Sequence, residues 1–301
     1  MKPNEVLTTE QRDDVLQRSD VKAWVAVMVT WTLTLITLML VGHFPSFVTL
    51  ALAWIVLPGR QLSLAVLMHE AGHGSLFKTR ALNRWVGQWL CALPVLSDFD
   101  AYARGHQAHH RLAGTVDDPD LPNYHAYPIS KASLKRKWFR DLTGQTGFKV
   151  LQTIARGTAS QMSRETPTSN RLVYRQVMVH GVFVGILALF GIAWTWFVWV
   201  LTFLTSYMWV VRLRQVGEHA VVPDLYDPDV RANTRTVEAP RWQLFLVAPN
   251  NVNYHLEHHF MAGVPCYNLP KLRSLLKAQG LLDNVPSVAG YGQVLKMAVL
   301  R

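Results

Sequence analysis

The sequence predicts an all-α integral membrane protein: four transmembrane helices arranged as two hairpins, with a cytosolic helical cap holding a histidine-rich di-metal site. Three observations predict it. First, no Asp, Glu, Lys or Arg occurs between Lys22 and Arg60, a run of 37 residues, or between Arg175 and Arg212, a run of 36. A membrane-spanning helix needs about 20 predominantly apolar residues, so each run fits two spans. Second, of 30 Lys and Arg, 4 lie at or before Lys22, 15 between Gly74 and Arg175, and 10 from Arg212 onward. The two expected hairpin tips, Gly42-His43-Phe44-Pro45 and Gly191-Ile192-Ala193-Trp194, carry none. Positive charge stays on the cytoplasmic side, which predicts cytoplasmic termini and a cytoplasmic middle segment. Third, eight of the 12 His fall in three short clusters, all assigned to that same side.

Taken in order, residues 1 to 22 are a polar lead-in without a signal-peptide pattern, with Asp13, Asp14 and Arg18 on a short surface helix. The spans are expected at about 23–41, 47–67, 177–191 and 194–213, with cytosolic regions 69–175 and 214–301, all within one domain, 1–301. Pro58-Gly59-Arg60 interrupts the second span and predicts a kink or an early exit from the membrane. Apolar residues then resume at Leu62 and carry the helix into the first histidine cluster. Leu76, Phe77, Leu82, Trp85, Val86 and Trp89, with Arg80 and Arg84 interleaved, predict an amphipathic helix on the membrane surface over 74–97. Asp117-Asp118-Pro119-Asp120 and Pro122 break the helix of the second cluster, and Lys135-Arg136-Lys137 opens a basic stretch lasting to Arg175. The fourth span is expected to continue past the membrane, bringing Arg212, Arg214, Gln215, Glu218 and His219 with it. The only cysteines, Cys91 and Cys266, lie outside any CxxC motif and read as isolated space-filling thiols. The net charge of +10 reads as a face held against anionic lipid headgroups. No aromatic-interleaved basic motif points to nucleic acid.

The clusters carry the chemistry. His255, His258 and His259 stand at i, i+3 and i+4, as do His106, His109 and His110, so each helix presents three imidazoles on one face. His69 and His73 lie one helical turn apart. Imidazole suits zinc, copper, iron and nickel, and eight are too many for one ion, so the count points to two. His219, on the extension of the fourth span, makes a ninth ligand on the same side of the membrane. An all-nitrogen set leaves iron in its low oxidation state with positions open to dioxygen. Glu70, Asp98, Asp100, Asp118, Glu218 and Glu257 stand near these histidines in sequence, and a metal-bound His commonly donates its other N–H to a carboxylate. His43, His125 and His180 lie outside the clusters and read as ordinary interfacial or packed side chains.

These residues resemble a known family. His69-Glu-Ala-Gly-His73, His106-Gln-Ala-His-His110 and His255-Leu-Glu-His-His259 are similar in order and spacing to the three histidine boxes of membrane fatty acid desaturases, in particular bacterial acyl-lipid desaturases. Gly74-Ser75-Leu76-Phe77, Asp118-Pro119-Asp120 and Asn268-Leu269-Pro270 extend the resemblance over about residues 60–275. It implies a non-haem di-iron site using O2 as co-substrate, four spans with cytosolic termini, and a tunnel for a lipid acyl chain. It also implies that His219 is a ligand and that Gln215, four residues earlier, holds a metal-bound water. Glu70 stands where many desaturases have Asp, and the third box opens with His255 where some have Gln. The sequence contains no haem-binding segment, so electrons are expected from a separate ferredoxin or b-type cytochrome.

Three other readings compete. Carotenoid ketolases, hydroxylases and alkane hydroxylases are similar to the same pattern, so the boxes leave desaturation and hydroxylation both open. His69-Glu70-Ala71-Gly72-His73 also satisfies HExxH, the zinc-protease motif, but that leaves both HxxHH clusters without a role. A metal carrier should place ionisable residues within its spans, and these spans are nearly bare of them.

Overall fold

The structure, a computed structural model, describes residues 3–162, 167–285 and 287–300; for 155–162 and 167–170 it describes the backbone alone. Among these residues there are helices, two isolated bridges and no β-strand. Helices α1 (Pro3–Val6) and α2 (Thr9–Val15) form the lead-in, where Thr8 and Gln11 close a capping box. Helices α3 (Asp20–His43) and α4 (Phe47–Gly72) follow, joined by three residues. Ser19 and Ser46 cap them by accepting the N–H of Lys22 and of Thr49. The two pack on each other along their length, and Thr30 and Ser63 share a buried hydroxyl–hydroxyl bond of 2.7 Å.

Four segments are long and apolar enough to cross a membrane: Thr9–His43, Phe47–Gly72, Arg171–Leu189 and Thr195–His219. Val21, Val25, Met28, Val29 and Ile36 line an exposed face of α3, an apolar stripe that lipid rather than water must cover. The chain is therefore an integral membrane protein.

Pro58 does not end α4, which runs unbroken to Gly72. The sequence predicts a kink or an early exit there; the helix does not end, and Pro58-Gly59-Arg60 forms a notch that seats a later helix. A Cβ on Gly59 would lie 2.6 Å from the Leu246 carbonyl oxygen, so only glycine admits that backbone. Arg60 donates to the Phe245 carbonyl, and its guanidinium lies 4.2 Å from the centre of the Phe245 ring.

The amphipathic surface helix predicted over 74–97 is not formed as one element. Helix α5 covers only Arg80–Val86 and passes into a π-helical turn, Gly87–Ala92, and a 3₁₀ turn, Leu93–Val95. Residues 74–79 are loop, closed by Asn83, which bonds both the N–H and the C=O of Phe77 at 2.9 Å. Leu76 and Phe77 are fully buried, with Phe77 edge-on to Trp24 of α3. Leu76, Phe77 and Val86, which read as membrane-facing, are core against α3 and α4, whereas Trp85 stays half exposed.

Helix α6 (Phe99–Leu112) carries the second cluster. After the predicted break come α7 (Lys131–Leu142) and α8 (Gln145–Met162); of the basic stretch lasting to Arg175, residues 163–166 lie outside the described residues. Helix α9 (Pro167–Leu189) starts ten residues before the predicted third span. The fourth is two helices, α10 (Thr195–Leu204) and α11 (Ser206–His219), interrupted at Thr205, whose hydroxyl accepts from Trp54 of α4 at 3.1 Å. The remainder comprises α12 (Val230–Asn233), α13 (Arg241–Val247, seated in the α4 notch), α14 (His255–Phe260), α15 (Leu269–Ala278) and α16 (Tyr291–Met297). Cys91 and Cys266 are buried and unpaired.

Candidate metal centre

Four helices deliver the histidines. His69 lies in the last turn of α4 with His73 at its C-cap, and His219 is the last residue of α11; α6 and α14 supply three each. The nine sort into two groups: His69, His73, His106, His110 and His258 in one, His109, His219, His255 and His259 in the other. Within each group one nitrogen per residue lies within 4.8 Å of all the others. The clusters are thus divided between groups: α6 gives His106 and His110 to one and His109 to the other, and α14 gives His258 to one and His255 and His259 to the other. The i, i+3, i+4 spacing lets one short helix serve both.

The ring tautomers follow from acceptor-only partners. The carbonyl of Asn233 can only accept, so His219 Nδ1, 3.0 Å away, carries the proton. Asp118 Oδ1 lies 2.8 Å from His109 Nδ1, and Glu70 Oε1 lies 3.1 Å from His69 Nδ1. Glu218 Oε1 stands 3.5 Å from His255 Nδ1. With Nδ1 protonated in these four, their Nε2 atoms point inward, where His219 and His255 meet at 2.8 Å, and His109 meets His259 at 3.3 Å. In the other group His110 Nε2 stands 2.9 Å from the Nε2 of both His106 and His258. Ring nitrogens crowded in this way must share protons pairwise or gather round a cation, and with more than two converging on one point pairwise sharing cannot satisfy them all. His73 Nε2 is buried without a hydrogen-bond partner, a second sign that a ligand is expected there. The donor set, imidazole throughout, fits a transition metal.

Burial favours the neutral ring, the form that ligates, at six of these histidines. Desolvation first, then neighbouring imidazoles, holds His106, His255, His258 and His259 well below the usual histidine range. Burial brings His73 down to about 4 and, with help from His73 and other neighbours, His110 to about 3.

The acids predicted to support the ligands separate into two kinds. Glu70, Asp118 and Glu218 do face a ring nitrogen, and each is braced from behind. Ser75 Oγ and the Cys266 N–H donate to Glu70 Oε2 at 3.1 and 2.7 Å, and Arg214 donates to both oxygens of Glu218 at 2.5 and 2.6 Å. Glu257, Asp98 and Asp100 do not. Glu257 takes hydrogen bonds from Thr236 and, at 2.5 Å, from Arg273, because its place on α14 turns it away from the imidazole face. Asp98 caps α6, accepting from the N–H groups of Asp100 and Ala101, and Asp100 pairs with Arg84 at 3.0 Å. Gln215 lines the adjoining cavity, one turn before His219. His43, His125 and His180 lie outside both groups.

Two participants escaped the sequence reading. The Asn233 carbonyl leaves no trace in a side-chain pattern. Tyr124, six residues after Asp118, donates its hydroxyl to Asp118 Oδ2, and its ring is stacked on His219 with centroids 4.8 Å apart and planes 19° apart. Burial first, then the Asp118 carboxylate, pushes its phenol above the ordinary range, which keeps it a donor.

A cavity of about 580 Å³ adjoins both groups. Histidines of both groups form one wall, and Val66, Leu96, Val150, Phe203, Met208 and Val211 line the apolar remainder. That volume lies within the roughly 300–1,000 Å³ usual for small-molecule sites.

Comparison with known proteins places the chain. The fatty acid desaturase family matches residues 45–288, more than half the sequence, and the chain belongs to that family. It is similar to an sn-1 oleoyl-lipid 12-desaturase of Picosynechococcus, 24% identical over 91% of this chain and 81% of the relative. A human sphingolipid delta(4)-desaturase/C4-monooxygenase is 25% identical over 77% of this chain and 67% of that protein. An sn-1 acyl-lipid omega-3 desaturase (ferredoxin) of Synechocystis is 28% identical over 34% of this chain, and the match spans only 28% of that relative's length. The family match spans the histidine groups, which can hold metal.

Proposed function

We propose that the protein is an oxygen-dependent di-iron lipid desaturase that introduces a double bond into an acyl chain. The observation that carries this reading is the meeting of two inward-facing imidazole groups with an apolar cavity on one wall. His69, His73, His106, His110 and His258 would hold one ion and His109, His219, His255 and His259 the other. Iron bound there supplies the activation of O2 that removal of hydrogen from an unactivated C–H bond requires. The protein's own residues orient the rings, exclude bulk water and hold the alkyl chain beside them. Gln215, which lines the cavity, would hold a water beside His219.

In this reading the chain forms one domain whose spans make two hairpins, α3 with α4 and α9 with α10–α11. The positive-inside bias of the sequence supports termini and metal centre on the cytoplasmic side. Electrons come from a separate donor, a ferredoxin or a b-type cytochrome, and the ferredoxin in the Synechocystis relative's name favours the former. The related reading, a hydroxylase, is favoured by one observation: the human relative is named for both desaturation and C4-monooxygenation. The protease reading loses support from Glu70, whose two oxygens face His69, Ser75 and Cys266.

Lipid mass spectrometry of cells with and without the protein tests the proposal. Loss of two hydrogens from an acyl chain is expected, and gain of one oxygen instead would favour the hydroxylase. His109→Ala should abolish turnover and lower iron content while the protein still inserts in the membrane. Full activity of that variant would remove His109 from the ligand set.

A further inference from the structure

The four-histidine group is held differently from its neighbour. In the five-histidine group, His69 is braced by Glu70 on its own helix. In the four-histidine group, His109 and His219 come from helices that do not share a bracing side chain, α6 and α11, and their outer nitrogens go to Asp118 and to the Asn233 carbonyl. Tyr124 joins the two. Its hydroxyl donates to Asp118 Oδ2 while Asp118 Oδ1 faces His109 Nδ1, and its ring lies nearly parallel to the His219 imidazole. It is 3% exposed, packed within the core formed by Leu62, Val66 and Val216 and lining the edge of the cavity. Asp118 without this donor keeps one oxygen free to rotate toward other partners, and His219 without the ring loses the surface that sets its plane.

We infer that Tyr124 is a positioning residue for the four-histidine metal site, fixing His109 through Asp118 and His219 by stacking. It acts through these residues and touches no reacting atom. The inference rests on the metal-centre reading proposed above. Hydrogen-bonding partners behind a metal ligand typically change metal affinity by about 10- to 100-fold when removed. Because Tyr124 reaches only one group, its loss should loosen one of two ions.

The test uses full-length protein in detergent, loaded anaerobically with Fe(II) and challenged with ferrozine. Wild type should release two irons per chain. Tyr124→Phe, which keeps the stacked ring and loses the hydroxyl, should release one iron about tenfold faster and the other at the wild-type rate. Asp118→Asn should accelerate the same phase. Tyr124→Leu removes both contacts and should accelerate it further; its helicity by circular dichroism is checked alongside, so that unfolding is recognised by equal loss of both irons. The kcat of Tyr124→Phe should fall with KM unchanged. Release of both irons from Tyr124→Phe at wild-type rates, or equal acceleration of both with helicity intact, would overturn the inference. A wild-type protein that binds no iron at all would instead sink the metal-centre reading itself.

Discussion

Glu70→Gln is the sharpest single perturbation of the site. Glu70 is 1% exposed and meets three groups: His69 Nδ1 at 3.1 Å, Ser75 Oγ at 3.1 Å and the Cys266 N–H at 2.7 Å. A glutamine of the same shape has one oxygen where the carboxylate has two. If that oxygen keeps His69, the amide NH2 confronts the Cys266 N–H. Ser75 retains the Glu70 main-chain carbonyl, which it already bonds at 2.9 Å, but the Cys266 N–H has no alternative. A stranded buried donor costs roughly 1–3 kcal/mol. If the amide turns over, the NH2 faces His69 Nδ1, which must then accept, and the proton moves to Nε2, the atom that should ligate. The cost then falls on metal affinity, by about 10- to 100-fold. Iron titration against a competing chelator and thermal unfolding of the purified variant measure both outcomes. Iron affinity within twofold of wild type together with an unchanged unfolding temperature would refute the reasoning. A zinc protease predicts a different pattern, in which activity vanishes while metal affinity is preserved, because Glu70 would then serve as general base.

Three further predictions follow from other features. Asp141 is fully buried and receives Arg212 Nη2 at 2.8 Å, so Asp141→Ala should destabilise the protein by about 3–5 kcal/mol, read as a lowered unfolding temperature in detergent. The double variant with Arg212→Met should recover much of that loss, since no lone buried charge remains. Gly147 packs against the end of α10 so closely that a Cβ would lie 2.4 Å from the Leu204 carbonyl oxygen; Gly147→Ala should displace α8, carrying Val150 out of the cavity wall, and raise KM for the lipid in a turnover assay. Chelator-stripped protein should lose stability as pH falls. His73 and His110 are held at about 4 and about 3 in the fold, against 6.5 for an ordinary histidine, so the unfolded chain binds more protons below pH 6.5. Their contribution is whole above that value and is lost between about pH 6.5 and 3; a flat unfolding temperature from pH 7 to 4.5 would contradict it.

Much of the architecture was legible because it is written in periodicity. The charge-free runs and the i, i+3, i+4 histidines encode helix, environment and shared face directly, and the structure places the nine predicted histidines together. The division of the second and third clusters between two groups was not legible, since it depends on how α6 and α14 lie against each other. The role of Pro58-Gly59-Arg60 was not legible either: the notch they form has meaning only once α13 is seated in it. Leu76 and Phe77 show that apolar spacing alone cannot distinguish lipid from protein as the covering partner. Glu257 lies beside two histidines in sequence, yet on a six-residue helix that proximity puts it on another face, against Arg273.

Helix α4 has a mechanical consequence. From Phe47 to Gly72 it is one rod of 26 residues, about 39 Å at 1.5 Å per residue, with lipid-exposed Phe47 and Val48 at one end and His69 at the other. A bilayer whose thickness does not match such a rod is accommodated by tilting it. His69 and His73 therefore sit at the end of the element most exposed to bilayer thickness, and α4's packing on α3, α10, α11 and α13 is what holds them in register with His106, His110 and His258.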